Sequence, residues 1–345
     1  MQIIELLTPH YEAAWLPWAV QYFFLVGMST GAALLAAWSV CSRPDSAASR
    51  ALPLIIVLLL VTVVTAPVSL LADLHQPARF WHFFAHFTPW SWMSMGAVLL
   101  PLFVLLSLGM CLAWWLGAVR WQRILAVPLA LSAASIVIYT GAEISVVRAR
   151  LLWHNPWVPV NLALTAWLAA VGAALLLSLW VPAGRDVAVR AWLGKLGLFL
   201  SLALLAVASV WMASGYVMQT PSFMQALELY TNFPIWRISL RLSVALGVVV
   251  MALWLRPGWW LESRTMTVVL GVAACAAAWG FRWALFMGVQ GLPKYGAGLY
   301  VYSIPLGGDG LMGIIGVFGL CIAVLTAVLW ALEHKERTSN ERVMS

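Results

Sequence analysis

The chain has 345 residues, 63% of them hydrophobic and 9% charged, with a mean hydropathy of +0.94. No soluble fold needs so much apolar surface, so the composition excludes a globular domain and indicates an all-α integral membrane protein. The net charge of +7 is then read as topology and attraction to anionic lipid, not as nucleic-acid binding.

Apolar runs of about twenty residues, long enough to cross a hydrocarbon core of roughly 30 Å as helices, fall near 16–40, 52–74, 90–116, 124–147, 158–180, 195–218, 235–255, 266–289 and 310–332. About nine transmembrane helices are therefore expected. Tryptophans such as Trp15, Trp18, Trp81, Trp90, Trp121, Trp153, Trp157, Trp259 and Trp260 gather near the span ends, where amphipathic rings favour the interface. The opening Met-Gln-Ile-Ile-Glu lacks the basic stretch of a cleaved signal, so the first span is expected to be retained as a helix.

Twelve Lys and Arg residues fall in connections on one side of the predicted bundle, five on the other, and Arg241 and Arg282 inside spans. The positive-inside rule then puts the N-terminus outside and the C-terminus in the cytoplasm. The connections are short, so no soluble domain is present that could hold a redox centre of its own. The longest, roughly 75–89, 148–157, 219–234 and 290–309, share the outer face, where a partner would dock. The mixed-charge tail 333–345 reads as a frayed extension.

Polar residues inside spans cost free energy in lipid, which makes each a functional candidate. Gln21 and Tyr22 occupy the outer third of the first span. Asp73 closes the second, just before His75-Gln76-Pro77, where proline stops the helix; it is either an interfacial residue held by loop groups or an acid at an outer rim. Tyr139 and Glu143 are four apart on the fourth span and share a face. Tyr139 either packs with a satisfied hydroxyl or donates from an apolar wall, and Glu143 either pairs with Arg148 or belongs to a proton path. Arg282 lies in the eighth span, cannot lose its proton, and needs an acidic or carbonyl partner unless it snorkels outward. Gln290 closes that span. An outer pocket with an acid at its rim and a phenol on its wall suits a lipophile carrying two exchangeable protons, such as a quinol.

These residues also carry a resemblance. Asp73-Leu74-His75-Gln76-Pro77-Ala78-Arg79-Phe80-Trp81-His82 followed by Ser91-Trp92-Met93-Ser94-Met95-Gly96 is similar to the second-to-third-helix signature of the NrfD/PsrC family, the quinol-interacting membrane subunits of polysulfide-reductase-like enzymes. Tyr139-Thr140-Gly141, His154-Asn155-Pro156-Trp157-Val158-Pro159-Val160, Phe281-Arg282-Trp283 and Gln290 resemble its later motifs. Within the family, the nine-span plan and Leu16-Pro17-Trp18-Ala19-Val20-Gln21-Tyr22 look most similar to membrane subunits of the tetrathionate-reductase type.

The resemblance implies two four-helix bundles plus one extra helix: a first bundle at about 16–147 with the quinol site, a second at about 158–289, an extra helix at about 310–332, and the tail. It implies Asp73 and Tyr139 as the quinone-binding aspartate and tyrosine, with Gln21 at the first-helix position; from the residues themselves, Asp73 is expected to accept the proton, His75 is a further candidate contact, and Glu143, Arg282 and Arg148 are candidates for a proton path or structural charge. The implied setting is a bacterial inner membrane, with menaquinol or ubiquinol as electron donor. The implied partners are a periplasmic ferredoxin-like iron–sulfur subunit and a molybdopterin catalytic subunit reducing a sulfur compound such as tetrathionate or polysulfide.

Cys41, Cys111, Cys275 and Cys321 are isolated and lack iron–sulfur spacing, so this chain is expected to bind no cluster of its own. His10, His75, His82, His86, His154 and His334 all avoid span interiors, so no haem is expected between helices, although a rim haem bound by His75, His82 or His86 is one alternative. A secondary transporter with inverted repeats and a purely structural anchor are the others.

Overall fold

The computed structural model describes residues 15–74, 76–290 and 303–344; His10, His75 and Lys294 lie outside them. Among the described residues there are no strands, and nine helices are long and apolar enough to cross a membrane: α1 (Pro17–Cys41), α2 (Leu52–Asp73), α3 (Trp92–Trp115), α4 (Val119–Ser145), α5 (Trp157–Leu177), α6 (Val187–Met218), α7 (Pro234–Trp254), α8 (Arg264–Trp283) and α9 (Leu311–Met344). This is a multi-pass, all-α membrane protein. Because successive helices run in opposite directions, one end of the bundle collects the start of α1 and the ends of α2 and α4. It is called here the Asp73 face, and the other end the Asp186 face.

Helices α1 to α4 pack together, as do α5 to α8, and α9 lies against α2 and α1. Helix α1 is the central element, touching α2, α4, α5, α8 and α9. Its small residues allow this. A Cβ added at Gly27 would stand 2.6 Å from the Ala166 Cβ, and one at Gly31 2.9 Å from the Trp167 ring. Without an apolar driving force between helices in lipid, such close approach is what holds them together.

Several boundaries differ from those read from hydropathy. Helix α6 begins at Val187 and not near 195, because the Asp186 carboxylate accepts from the Ala188 N–H at 2.8 Å and caps it; Arg190 and Lys195 had moved the apolar window later. Helix α4 likewise starts at Val119, since Arg120, Gln122 and Arg123 are polar yet helical. The connection 219–234 is mostly a helix, Pro221–Asn232.

The tail expected to fray continues α9 to Met344. Where α9 leaves its apolar stretch it is pinned: the Lys335 ammonium donates to the Trp115 carbonyl and lies 4.6 Å over the Trp115 ring. On the same face the Arg50 guanidinium meets Asp186 at 2.6 Å.

Helix α8 widens at its Asp73-face end into a π-helical turn, Ala284–Gly288. A π turn shifts the hydrogen-bond ladder, and neighbouring side chains meet the carbonyls there. Trp236 Nε1 donates to Ala284 at 3.0 Å, Trp153 Nε1 to Leu285 at 2.8 Å and Arg150 to Val289 at 2.5 Å.

Candidate functional site

Asp73 is the last residue of α2, half-buried at the rim. One of its carboxylate oxygens accepts from the Leu16 N–H at 3.1 Å. Leu16 is the N-cap of α1, so the carboxylate stands at the positive end of that helix's dipole and satisfies an otherwise orphan amide. An acid that closes one helix thereby fixes the start of the next.

Tyr22 lies five residues into α1, about 8 Å below its start. Its side chain is 1% exposed, and its hydroxyl makes no hydrogen bond of normal length and angle with the described residues, meeting the Tyr139 hydroxyl only loosely. It faces Tyr139 and Glu143 of α4, with which it interacts.

Tyr139, 4% exposed, stands six residues before the end of α4, about 9 Å deep. Glu143, one turn nearer the rim, meets the Tyr139 hydroxyl and feels the Asp73 charge. One of its carboxylate oxygens is buried without a partner among the described residues.

The ring of Tyr139 lies flat against Gly96 of α3. A Cβ there would fall 2.2 Å from the ring carbon bearing the hydroxyl and 2.4 Å from the hydroxyl itself. Only glycine leaves room for this tyrosine. Four helices therefore converge within the upper third of the Asp73 face, bringing together an acid at the rim, a second acid just below, and two phenols.

The other sequence candidates are distributed differently. Gln21 is fully buried, but it points across to α8, where its Oε1 accepts from Trp279 Nε1 at 3.2 Å; its Nε2 has no partner among the described residues. Tyr22, not Gln21, is the α1 side chain beside Tyr139. Glu143 makes no ion pair with Arg148, which is exposed. Gln290 clasps the chain entering α1, accepting from the Trp15 N–H at 2.9 Å and donating to the Trp15 carbonyl at 3.0 Å.

Arg282 is 1% exposed and makes four hydrogen bonds. Its guanidinium donates to the Phe23 carbonyl of α1 (3.2 Å), the Leu162 carbonyl and Thr165 hydroxyl of α5 (2.7 and 3.0 Å) and the Ala278 carbonyl of its own helix (3.1 Å). It meets carbonyls, not a carboxylate, and it ties three helices together. His75 lies outside the described residues, and no cluster of three metal-ligating side chains occurs among those described.

Tyr22 and Gly96 carry more of the site than the sequence suggested. The signal for Gly96 was its place in the Ser94-Met95-Gly96 motif; for Tyr22 it was only its depth.

A family profile described as polysulphide reductase, NrfD, matches residues 6–293. A tetrathionate reductase subunit of Salmonella typhimurium is 36% identical over 341 residues, 94% of each chain.

Proposed function

Because the chain belongs to the NrfD family, we propose that it is the membrane anchor and quinol-oxidising subunit of a respiratory reductase complex, with the quinol bound between Asp73, Tyr22 and Tyr139. The observation that carries this reading is the pair of buried polar atoms there that make no hydrogen bond of normal geometry with the described residues, the Tyr22 hydroxyl and a Glu143 oxygen. Buried polar groups are ordinarily satisfied, so a molecule with its own hydroxyls or carbonyls is the natural partner.

In this reading menaquinol or ubiquinol enters from the bilayer. Tyr139 and Tyr22 hold one ring oxygen. Asp73 accepts the proton of the other, as a positioned base does; Glu143 is placed to take the second. Gln21 and, on sequence grounds, His75 are the remaining candidate contacts.

Oxidation of one quinol releases two electrons as well, and these pass to a ferredoxin-like iron–sulfur subunit docked on the Asp73 face and on to a molybdopterin catalytic subunit. The relative's name, a tetrathionate reductase subunit, makes tetrathionate, or polysulfide, the matching terminal acceptor. The paucity of Lys and Arg on the Asp73 face favours the periplasm for it. Protons and electrons then leave on one side, so no net charge crosses the inner membrane. Arg282 and Arg148 carry no step: the first is consumed by helix carbonyls and the second is exposed.

The test is quinol oxidation by the assembled complex carrying Asp73→Asn. An asparagine Oδ1 still accepts from Leu16, so the fold is retained while proton acceptance is lost, and the rate should fall at least about 10²-fold. A fully assembled Asp73→Asn complex that oxidises quinol at the parent rate overturns the proposal.

A further inference from the structure

The second bundle holds a cavity of its own. It measures about 380 Å³ and lies between α5, α6, α7 and α8, away from Asp73 and Tyr139. That volume is within the range of small-molecule pockets, roughly 300–1,000 Å³. Its inner wall is formed by buried residues of α5 and α8. On the opposite side the lining residues Leu205, Met212, Val244 and Val248 are exposed, so it opens sideways between α6 and α7, toward lipid.

Two donors line this space without a partner among the described residues: the indole N–H of Trp211 and the hydroxyl of the buried Ser201. Ten residues of α6 separate them, about 15 Å along the helix. An indole N–H can only donate, and no lining residue is ionisable. Asn161 lines the cavity near the level of Trp211. The occupant that fits is long, apolar and uncharged, with carbonyl-type oxygens as acceptors.

We propose that this cavity is a second lipophile site, taking one long-chain molecule whose carbonyl oxygen meets Trp211. An isoprenoid quinone and the ester-bearing arm of a membrane lipid share that chemistry. The site is independent of the quinol site in the first bundle.

Gly247 provides the test. It lines the cavity, and a Cβ added there meets nothing within 4 Å, so Gly247→Leu introduces a side chain that starts in open space at the cavity wall. Gly319 on α9 is equally open but lies outside the cavity, and Gly319→Leu is the control.

The complex is purified in detergent, washed of loose lipid and solvent-extracted, and the extract is quantified by quinone absorbance and by phosphorus. The parent and Gly319→Leu extracts should match, and each should exceed the Gly247→Leu extract by about one equivalent of quinone or phospholipid per chain, that difference being the cavity's own occupant since the first-bundle site is present in all; Trp211→Phe should fall between. Quinol oxidation should be unchanged in Gly247→Leu. Which assay responds identifies the source. Equal extracts from the parent, Gly247→Leu and Trp211→Phe, or no retained lipophile in the parent, overturn the site whatever the fate of the first.

Discussion

One methyl group at position 96 reports on the site without removing any polar atom from it. In the parent the Tyr139 ring and hydroxyl occupy the place where a Cβ would stand, at 2.2–2.4 Å. Carbon atoms in contact prefer about 3.5–4.0 Å, so in Gly96→Ala the phenol or α3 must retreat by about 1.1–1.8 Å. Overpacking of this kind costs about 1–3 kcal/mol, which a buried helix pair tolerates. The rate is less forgiving, because a displacement of about 1 Å in a positioning group slows a reaction by about 10²-fold. Gly96→Ala should therefore assemble normally yet oxidise a short-chain quinol about 10²-fold more slowly, measured by steady-state turnover of the complex in membranes. If the methyl acts through Tyr139, the double variant Gly96→Ala/Tyr139→Ala should be no slower than Tyr139→Ala alone, since coupled positions do not add. A Gly96→Ala complex within about twofold of the parent, or fully additive losses, would refute the reasoning.

Tyr22→Phe removes a buried hydroxyl that makes no hydrogen bond of normal geometry with the described residues; thermal stability of the protein free of quinol should hold or rise slightly, while the KM for quinol rises. Arg282→Met should lower the thermal midpoint in detergent by several degrees, because three helices lose a shared donor set. Arg282→Lys should do nearly as badly, since an ammonium cannot reproduce the planar fork; full stability with lost turnover would instead make Arg282 catalytic. On the other face, the Ala188 N–H, and after it the Arg50 guanidinium, hold the Asp186 carboxyl below the usual carboxylate range. A depressed folded-state pKa stabilises above the unfolded value, about 3.9, and the benefit disappears as pH falls through the folded value. Asp186→Ala should thus cost about 1 kcal/mol at neutral pH and nothing in strong acid, read from melting midpoints against pH.

The nine helices were legible because hydropathy and helix length are coupled by membrane thickness. Asp73 and Tyr139 were legible because polar groups in spans are few. What hydropathy could not supply was rotation about the helix axis. Gln21 and Tyr22 are adjacent and equally deep, yet about 100° apart around α1, so one faces Trp279 and the other Tyr139. Nor does an apolar window mark helix ends made of charged residues: α4 and α6 begin several residues early, and α9 continues beyond Lys335. Glu143 was ambiguous for a related reason. Arg148 is near in sequence, but α4 ends at Ser145, so no helical register brings the two together, whereas Tyr139 lies one turn away on the same face.

Two sets of buried polar groups near the Asp73 face differ in how they meet the cost of burial. Arg282, Gln290 and Arg150 donate to backbone carbonyls or a neighbouring hydroxyl; each is costly in lipid, and each recovers part of that cost by binding one helix or chain segment to another. The Tyr22 hydroxyl and one oxygen of Glu143 make no hydrogen bond of normal geometry with the described residues. A sequence shows both sets as polar letters in apolar runs, and the hydrogen-bond partners distinguish them. Helix α1 joins the two sets within three consecutive residues. The Phe23 carbonyl accepts from Arg282, Gln21 accepts from Trp279, and Tyr22 between them faces the unmatched cluster. The second bundle therefore sets the register of α1, and through it the depth at which Tyr22 is presented to Tyr139. Loosening the Arg282 clamp should accordingly disturb quinol affinity as well as stability, even though its carbonyl partners, and not any redox carrier, are what Arg282 touches.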